Sequence, residues 1–483
     1  MRESSVSAHP EQVRPMPVVN RRGRRPGSAP VRAERLGAAL LAAGVVVATT
    51  VWAVPAQGLP LVRDTEIETH VRAWADPVFA AAGLEASSVR LYLVNEPTIN
   101  AFVAGGQNIF VHTGLIVRAG TPDALVGVIA HEAGHIAAGH LVRTREAAEK
   151  AAIAGLATTL ITIGASALGG GDDAISLGAA GMSLGENIAS RMFLQHSRSA
   201  EYAADLAALQ YLAAVGRPAR PMVELLVALQ AKEQTQELLD PYARTHPLTQ
   251  ERIQQILDWT RGEQVPQSPE RAAEQAAYDR LVAKIVAFTD PPEQTLQRYA
   301  GDDSVAGRYA RAIAYYRKSD LNAALSWIDE LIAQSPEDHY FHELRGQILL
   351  EHGRVAEASE SYRQAAELAP EAALILVGFA QAELETGDDS SLSDVTAVLE
   401  RVLDLEPANA KAWRLLAAAH GRAGNDGLAM LATAEHALLR GRAADARRFA
   451  ERALKHLPPD SPAFQRADDI GQLLKDSSGA TRR

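Results

Sequence analysis

A chain of 483 residues, 47% apolar and only 5% aromatic, has room for two or three domains and enough apolar surface to bury sizeable cores. It contains no cysteine, which excludes disulfides, thiol nucleophiles and Cys-ligated metal and leaves His and carboxylates as the available metal ligands. The formal charge is −11; residues 1–35 carry +5 and residues 36–56 none, so the remaining body holds −16 and argues against nucleic acid as a partner.

The basic start precedes an apolar run of seventeen residues, Leu36 to Trp52, and Val54-Pro55-Ala56 fits a signal-peptidase site before Gln57. Residues 1–56 are therefore expected to be a basic leader and signal peptide, with a retained N-terminal anchor as the alternative. In both cases Arg21 to Arg35 stays in the cytoplasm and the body is exported. The expected location is the periplasm, free or anchored to the inner membrane.

From residue 57 the pattern is mixed. Thr65 to Ala82 has helical periodicity, Val89 to Val94 alternates as a half-buried strand does, and Asn108 to His112 is a second strand candidate, with a Gly105-Gly106 turn between them. Thr121-Pro122-Asp123 is a helix start: a capping hydroxyl, proline at the first helical position, then an acid favoured by the helix dipole. The chain is helical almost throughout from there. A Gly/Ala/Ser-rich stretch, residues 164–188, reads as a mobile lid or a segment making peripheral membrane contact, with a plain loop as the alternative. Pro241 to Pro247 reads as non-helical. A shift to Gln, Pro and Ser near Gly262 to Pro269 ends the first domain at about residue 265, and residues 266–300 read as connecting helices.

Residues 301–470 repeat. Pro336 and Pro370 lie 34 apart, the period of the tetratricopeptide repeat, and Gly346, Leu349, Gly353, Ala358, Tyr362 and Ala365 before Pro370 match its pattern. A third repeat, stretched by Gly387 to Ser391, closes at Pro407, and a last helix pair closes at Pro458, giving about four repeats. Residues 471–483 read as a flexible tail.

His131-Glu132-Ala133-Gly134-His135 is an HExxH motif behind an apolar stripe of Leu125, Val128 and Ile129. Helical spacing of four puts both imidazoles on one face, one turn apart, where they can share a cation. Glu132 sits beside the first ligand, within reach of a water but not ligating. A catalytic zinc needs a third protein ligand. His140 follows His135 by five, about 140° off the ligand face, and reads as supporting or structural. Glu201, in Arg198-Ser199-Ala200-Glu201-Tyr202-Ala203-Ala204-Asp205, is the better candidate. Asp205, four residues on, can accept a proton from a ligand imidazole and fix its tautomer.

HEAGH, RSAEYAAD, Thr245-His246-Pro247 and Arg252 together resemble the M48 family of zinc metallopeptidases. The resemblance implies one zinc per chain held by His131, His135 and Glu201, with Glu132 as general base and Asp205 supporting a ligand. His246 matches a family histidine that ligates the resting metal or stabilises the oxyanion. Ile109-Phe110-Val111 resembles the family's edge strand, where substrate adds as a further strand. The expected fold is α+β and mostly helical: a zincin-type metallopeptidase domain over residues 57–265, then an all-α tetratricopeptide-like solenoid. The resemblance further implies unfolded or misassembled envelope proteins as substrates, with outer-membrane protein assembly machinery as a partner of the repeats. A repeat-mediated chaperone or adaptor with a latent peptidase site is the alternative.

Overall fold

The computed structural model describes residues 59–140, 197–233, 241–265 and 267–480, together with Arg143, Glu146 and Lys150. The leader over residues 1–56 and the stretch 164–188 lie outside the described residues. Among the latter no helix is long and apolar enough to cross a membrane.

The chain starts with β1 (Leu61–Val62), α1 (Thr65–Ala81), β2 (Arg90–Val94), β3 (Ala101–Ala104) and β4 (Asn108–His112). These strands form one sheet in the order β1-β2-β4-β3. β2 and β4 run parallel, and β3 pairs antiparallel with β4 through a turn at Gly105-Gly106, both residues in the left-handed region. That turn therefore closes a hairpin of β3 with β4, and does not link the two strands expected from the sequence. β3 escaped notice because Ala-Phe-Val-Ala is four residues without alternation, too short to register as a strand. Its presence corrects the edge-strand expectation: Ile109 to Val111 lie on an inner strand paired on both sides, and among the described residues the edges are β3 and the two-residue β1.

Helices follow: α2 (Thr113–Ala119), α3 (Pro122–Ala137), α4 over residues 197–214, α5 (Arg220–Glu233), α6 (Pro241–Thr245), α7 (Gln250–Trp259), α8 (Pro269–Thr289) and α9 (Pro292–Arg298). α3 starts as its sequence dictates: Thr121 Oγ1 accepts from Ala124 N at 3.1 Å, and Pro122 occupies the first turn. Pro241 to Thr245, read as non-helical, forms a short helix. Proline is tolerated at its first position, where no intrahelical partner is needed for its nitrogen.

One core is built on α1, the sheet, α3 and α5, with Phe79, Leu93, Ile109, Leu125 and Ile129 fully buried. α8, read from sequence as a connector, also belongs to it. Tyr278, Leu281 and Ile285 are buried there, and the Tyr278 hydroxyl donates to the carbonyl of Ile116. A fragment ending at residue 265 loses these three side chains, at about 2–5 kcal/mol each, which together rival a domain's whole stability of about 5–15 kcal/mol. Such a fragment is expected to show no cooperative thermal transition by circular dichroism where the full chain does. A sharp transition near that of the full chain would show α8 to be dispensable.

From Val305 the described chain is ten helices, α10 to α19, paired as Val305–Arg317 with Leu321–Gln334, His339–Glu351 with Val355–Leu368, Ala373–Thr386 with Leu392–Leu405, Ala410–Arg422 with Asp426–Leu439, and Ala443–Ala453 with Pro462–Ala480. That is five hairpins where the sequence suggested about four. The extra pair arises because the helix before Pro458, expected to be the second of the last pair, packs on a further helix that carries no repeat signature and runs through residues 471–480, expected to be part of a flexible tail. Small residues sit where helices approach closest: a Cβ at Gly346 or Gly378 would overlap the Tyr362 ring that lies between them.

The repeats are joined to the first core by a buried ion cluster. Glu66 of α1 is fully buried, pairs with Arg280 and with Lys284 Nζ at 3.1 Å, and accepts from the Tyr309 hydroxyl at 3.1 Å. Lys284 also meets Asp64 at 2.8 Å, and Arg280 meets Asp338 at 2.6 Å. Burial alone would raise the Glu66 carboxyl, but Lys284 and Arg280 outweigh it and hold it below the usual range. Removing one member would leave buried charge uncompensated, a severe cost, so the cluster ties α1, α8 and the first repeats together.

Candidate metal centre

α3 is buried on nearly every side, so the side chains of His131, Glu132 and His135 are delivered by a helix with little freedom to shift. α4 crosses it at Gly134, where a Cβ would come within 3.1 Å of the Ala204 carbonyl oxygen. The missing side chain lets the two backbones approach and carries Glu201 to the imidazoles. His246 follows α6; its N–H donates to the Tyr242 carbonyl at 2.7 Å and its ring stacks on Tyr242, centroids 4.9 Å apart.

Four donors converge. His131 Nε2 lies 3.1 Å from His135 Nε2, 3.3 Å from Glu201 Oε2 and 3.3 Å from His246 Nδ1. His135 Nε2 lies 3.4 Å from Glu201 Oε1, and His246 Nδ1 lies 3.1 Å from Glu201 Oε2. One ligand atom from each of the four residues falls within 4.8 Å of all the others. Zinc–nitrogen bonds of about 2.0–2.1 Å at tetrahedral angles place ligand atoms about 3.3 Å apart, so these spacings suit a zinc-sized cation. The donor set, imidazole and carboxylate without thiolate, suits it as well.

The surroundings favour a cation. Burial would raise the Glu201 carboxyl, but hydrogen bonds with His131, His135 and His246 outweigh it and hold it far below the usual carboxylate range. Burial lowers His135 to about 4, so its ring is neutral and its lone pair is available at neutral pH. At His131 burial also acts downward, yet Asp205 and Glu201 prevail and push the ring up to about 10. Carboxylates that stabilise a proton there would equally stabilise a bound metal. His131 Nδ1 meets Asp205 Oδ1 at 2.9 Å, which leaves Nε2 to face the other donors.

Glu132 is fully buried; among the described residues no side chain hydrogen-bonds either carboxylate oxygen, and His246 Nε2 stands 3.4 Å from Oε1. Burial pushes its carboxyl up against the pull of His246 and His131. A backbone hydrogen bond from Val103, on the edge strand β3, also pulls it down. A buried carboxylate so sparsely hydrogen-bonded is costly unless it has a chemical task.

Residues 62–260 match the model of Peptidase family M48, and residues 309–373 and 343–390 match that of the tetratricopeptide repeat. The chain carries an M48 peptidase domain followed by tetratricopeptide repeats. It is 23% identical over 395 residues to the beta-barrel assembly-enhancing protease of Yersinia pestis, covering 79% of this chain and 78% of that one. The protein of the same name from Escherichia coli (strain K12) is 23% identical over 394 residues, with the same coverage. The mitochondrial metalloendopeptidase OMA1 of Schizosaccharomyces pombe is 27% identical over 182 residues, 38% of this chain and 50% of that one.

Within the M48 domain the structure brings His131, His135, Glu201 and His246 together, with Glu132 and Asp205 alongside. His140 is buried, its Nδ1 2.9 Å from His135 Nδ1, so it touches a candidate ligand from behind without joining the four. Sequence reasoning assigned no part to Tyr242, whose signal was its position four residues before His246. It assigned none to Arg252 beyond membership of a motif.

Proposed function

We propose that this M48 peptidase is an exported zinc-dependent endopeptidase that cuts misfolded or misassembled envelope proteins, and that its repeats bind the substrate or the assembly machinery. The observation that carries the reading is the convergence of three imidazoles and one carboxylate beside the buried carboxylate of Glu132, which no described side chain hydrogen-bonds. His131, His135 and Glu201 hold the metal. Zinc there supplies Lewis acidity, polarising a scissile carbonyl and making a water nucleophilic near neutral pH. Glu132, buried and raised in pKa, takes the water's proton and passes it to the leaving amine. A substrate strand added to the outer edge of β3 would pass the Val103 backbone that hydrogen-bonds Glu132. The relatives' names support an envelope setting, and the basic start with its apolar run supports export. The test is metal analysis of purified protein beside digestion of an unfolded protein with and without chelator. Absence of zinc, or cleavage indifferent to the chelator, would overturn it.

The position of His246 supports a second, regulatory reading of the same site. Its Nδ1 takes a fourth place beside Glu201 and His131, where it would exclude water. His246→Ala is then expected to raise basal cleavage at unchanged zinc content. A fall in turnover at unchanged zinc would assign it to the oxyanion instead, and kinetics identical to wild type would eliminate both roles.

A further inference from the structure

Arg252 sits in the first turn of α7, only 5% exposed. Its guanidinium spans three segments of the site. Nε donates to Asp205 Oδ2 at 2.7 Å and Nη2 to Asp205 Oδ1 at 2.8 Å, a two-pronged grip on one carboxylate. Nη1 donates to the carbonyl oxygen of Pro247 at 2.8 Å and lies 3.0 Å from Glu201 Oε2. Asp205 in turn meets His131 Nδ1. One side chain thus touches the carboxylate behind His131, one oxygen of Glu201, and the backbone immediately after His246.

We infer that Arg252 is the positioning residue of the metal centre: it fixes the ligand helix α4 and the His246–Pro247 turn relative to each other, so that ligand geometry and the place of His246 are set together. The inference rests on the proposed metal site and adds a residue to it. Three consequences follow from the contacts. Holding both oxygens of Asp205 orients that carboxylate toward His131 Nδ1. Holding Glu201 Oε2 fixes the carboxylate with Oε1 turned toward His135 Nε2 and His246 Nδ1, so both oxygens stay aimed at the converging donors. Anchoring the Pro247 carbonyl limits how far His246 can swing away from Glu201 and Glu132. Only a planar fork makes all of these contacts at once; a lysine ammonium in the same place keeps the charge and loses the geometry.

The test uses the full chain with cobalt(II) in place of zinc, because its visible spectrum reports coordination independently of activity. Arg252→Lys and Arg252→Gln, checked for native circular dichroism and thermal transition, are expected to bind cobalt about 10–100-fold more weakly, with Lys the closer to wild type and both spectra altered at saturation. His246→Ala should change the spectrum in the wild-type background and change it little in the Arg252→Lys background, since the turn is already released. Asp205→Asn provides the counterpart if the Arg252 variants do not fold. It breaks the link to His131 but leaves the Pro247 contact, so it should weaken binding while the His246→Ala spectral change persists. A folded Arg252→Lys protein with wild-type affinity and spectrum overturns the inference, as does a His246→Ala change lost in Asp205→Asn. Failure of the wild-type chain to bind cobalt or zinc at all would instead overturn the metal site itself.

Discussion

Glu132→Gln is expected to abolish measurable proteolysis, with kcat falling by about 10²–10⁴-fold, while zinc content stays near one per chain. The amide keeps the size and burial of the side chain but cannot accept a proton. Because no described side chain hydrogen-bonds the Glu132 carboxylate, its replacement should cost little stability. Loss of activity without loss of metal or fold is therefore the signature of a base. Cleavage by Glu132→Gln at the wild-type rate would place the activity elsewhere in the chain.

Glu201→Ala should lower zinc affinity on the order of 100-fold or more, beyond the 10–100-fold typical of residues that only support a ligand. Two effects combine: one of the converging donors disappears, and the three imidazoles around it lose the carboxylate on which they converge. His140→Ala should cost about tenfold at most, because His140 meets His135 at Nδ1 and leaves Nε2 in place. The ordering is what matters, read by competition with a chromogenic chelator. Zinc affinity that follows His140 and ignores Glu201 would place this domain in another class of zinc site.

Much of this protein was legible in its sequence because its strongest signals are local. Thr121-Pro122 starts a helix through bonds made within one turn, and HExxH puts two imidazoles on one face because helical spacing requires it. The 34-residue spacing of Pro336 and Pro370 announces stacked hairpins, since each proline stops a second helix. Even the bounds of α1 were readable within a residue from periodicity, and the start of α3 from its cap.

Tertiary structure decided whatever depends on partners distant in sequence. β3 is a strand because β4 offers it hydrogen bonds, and its four residues carry no alternation of their own. α8 reads as a connector until Tyr278, Leu281 and Ile285 are seen inside the first core; its polar remainder masks that face. Glu66, Arg280 and Lys284 are ordinary charged residues in sequence, and only the meeting of α1, α8 and the first repeat makes them one buried cluster. Glu201 could be proposed as a partner of HExxH, but its distance to His131 is set by the helix crossing at Gly134. His246 and Arg252 are placed by the Pro247 turn, whose carbonyl one guanidinium holds together with Asp205 and Glu201. Sequence alone specified the chemistry each residue brings, because that is a property of its side chain. Which of those side chains converge, and which restrain one another, was decided by long-range packing, because such distances depend on how whole helices cross.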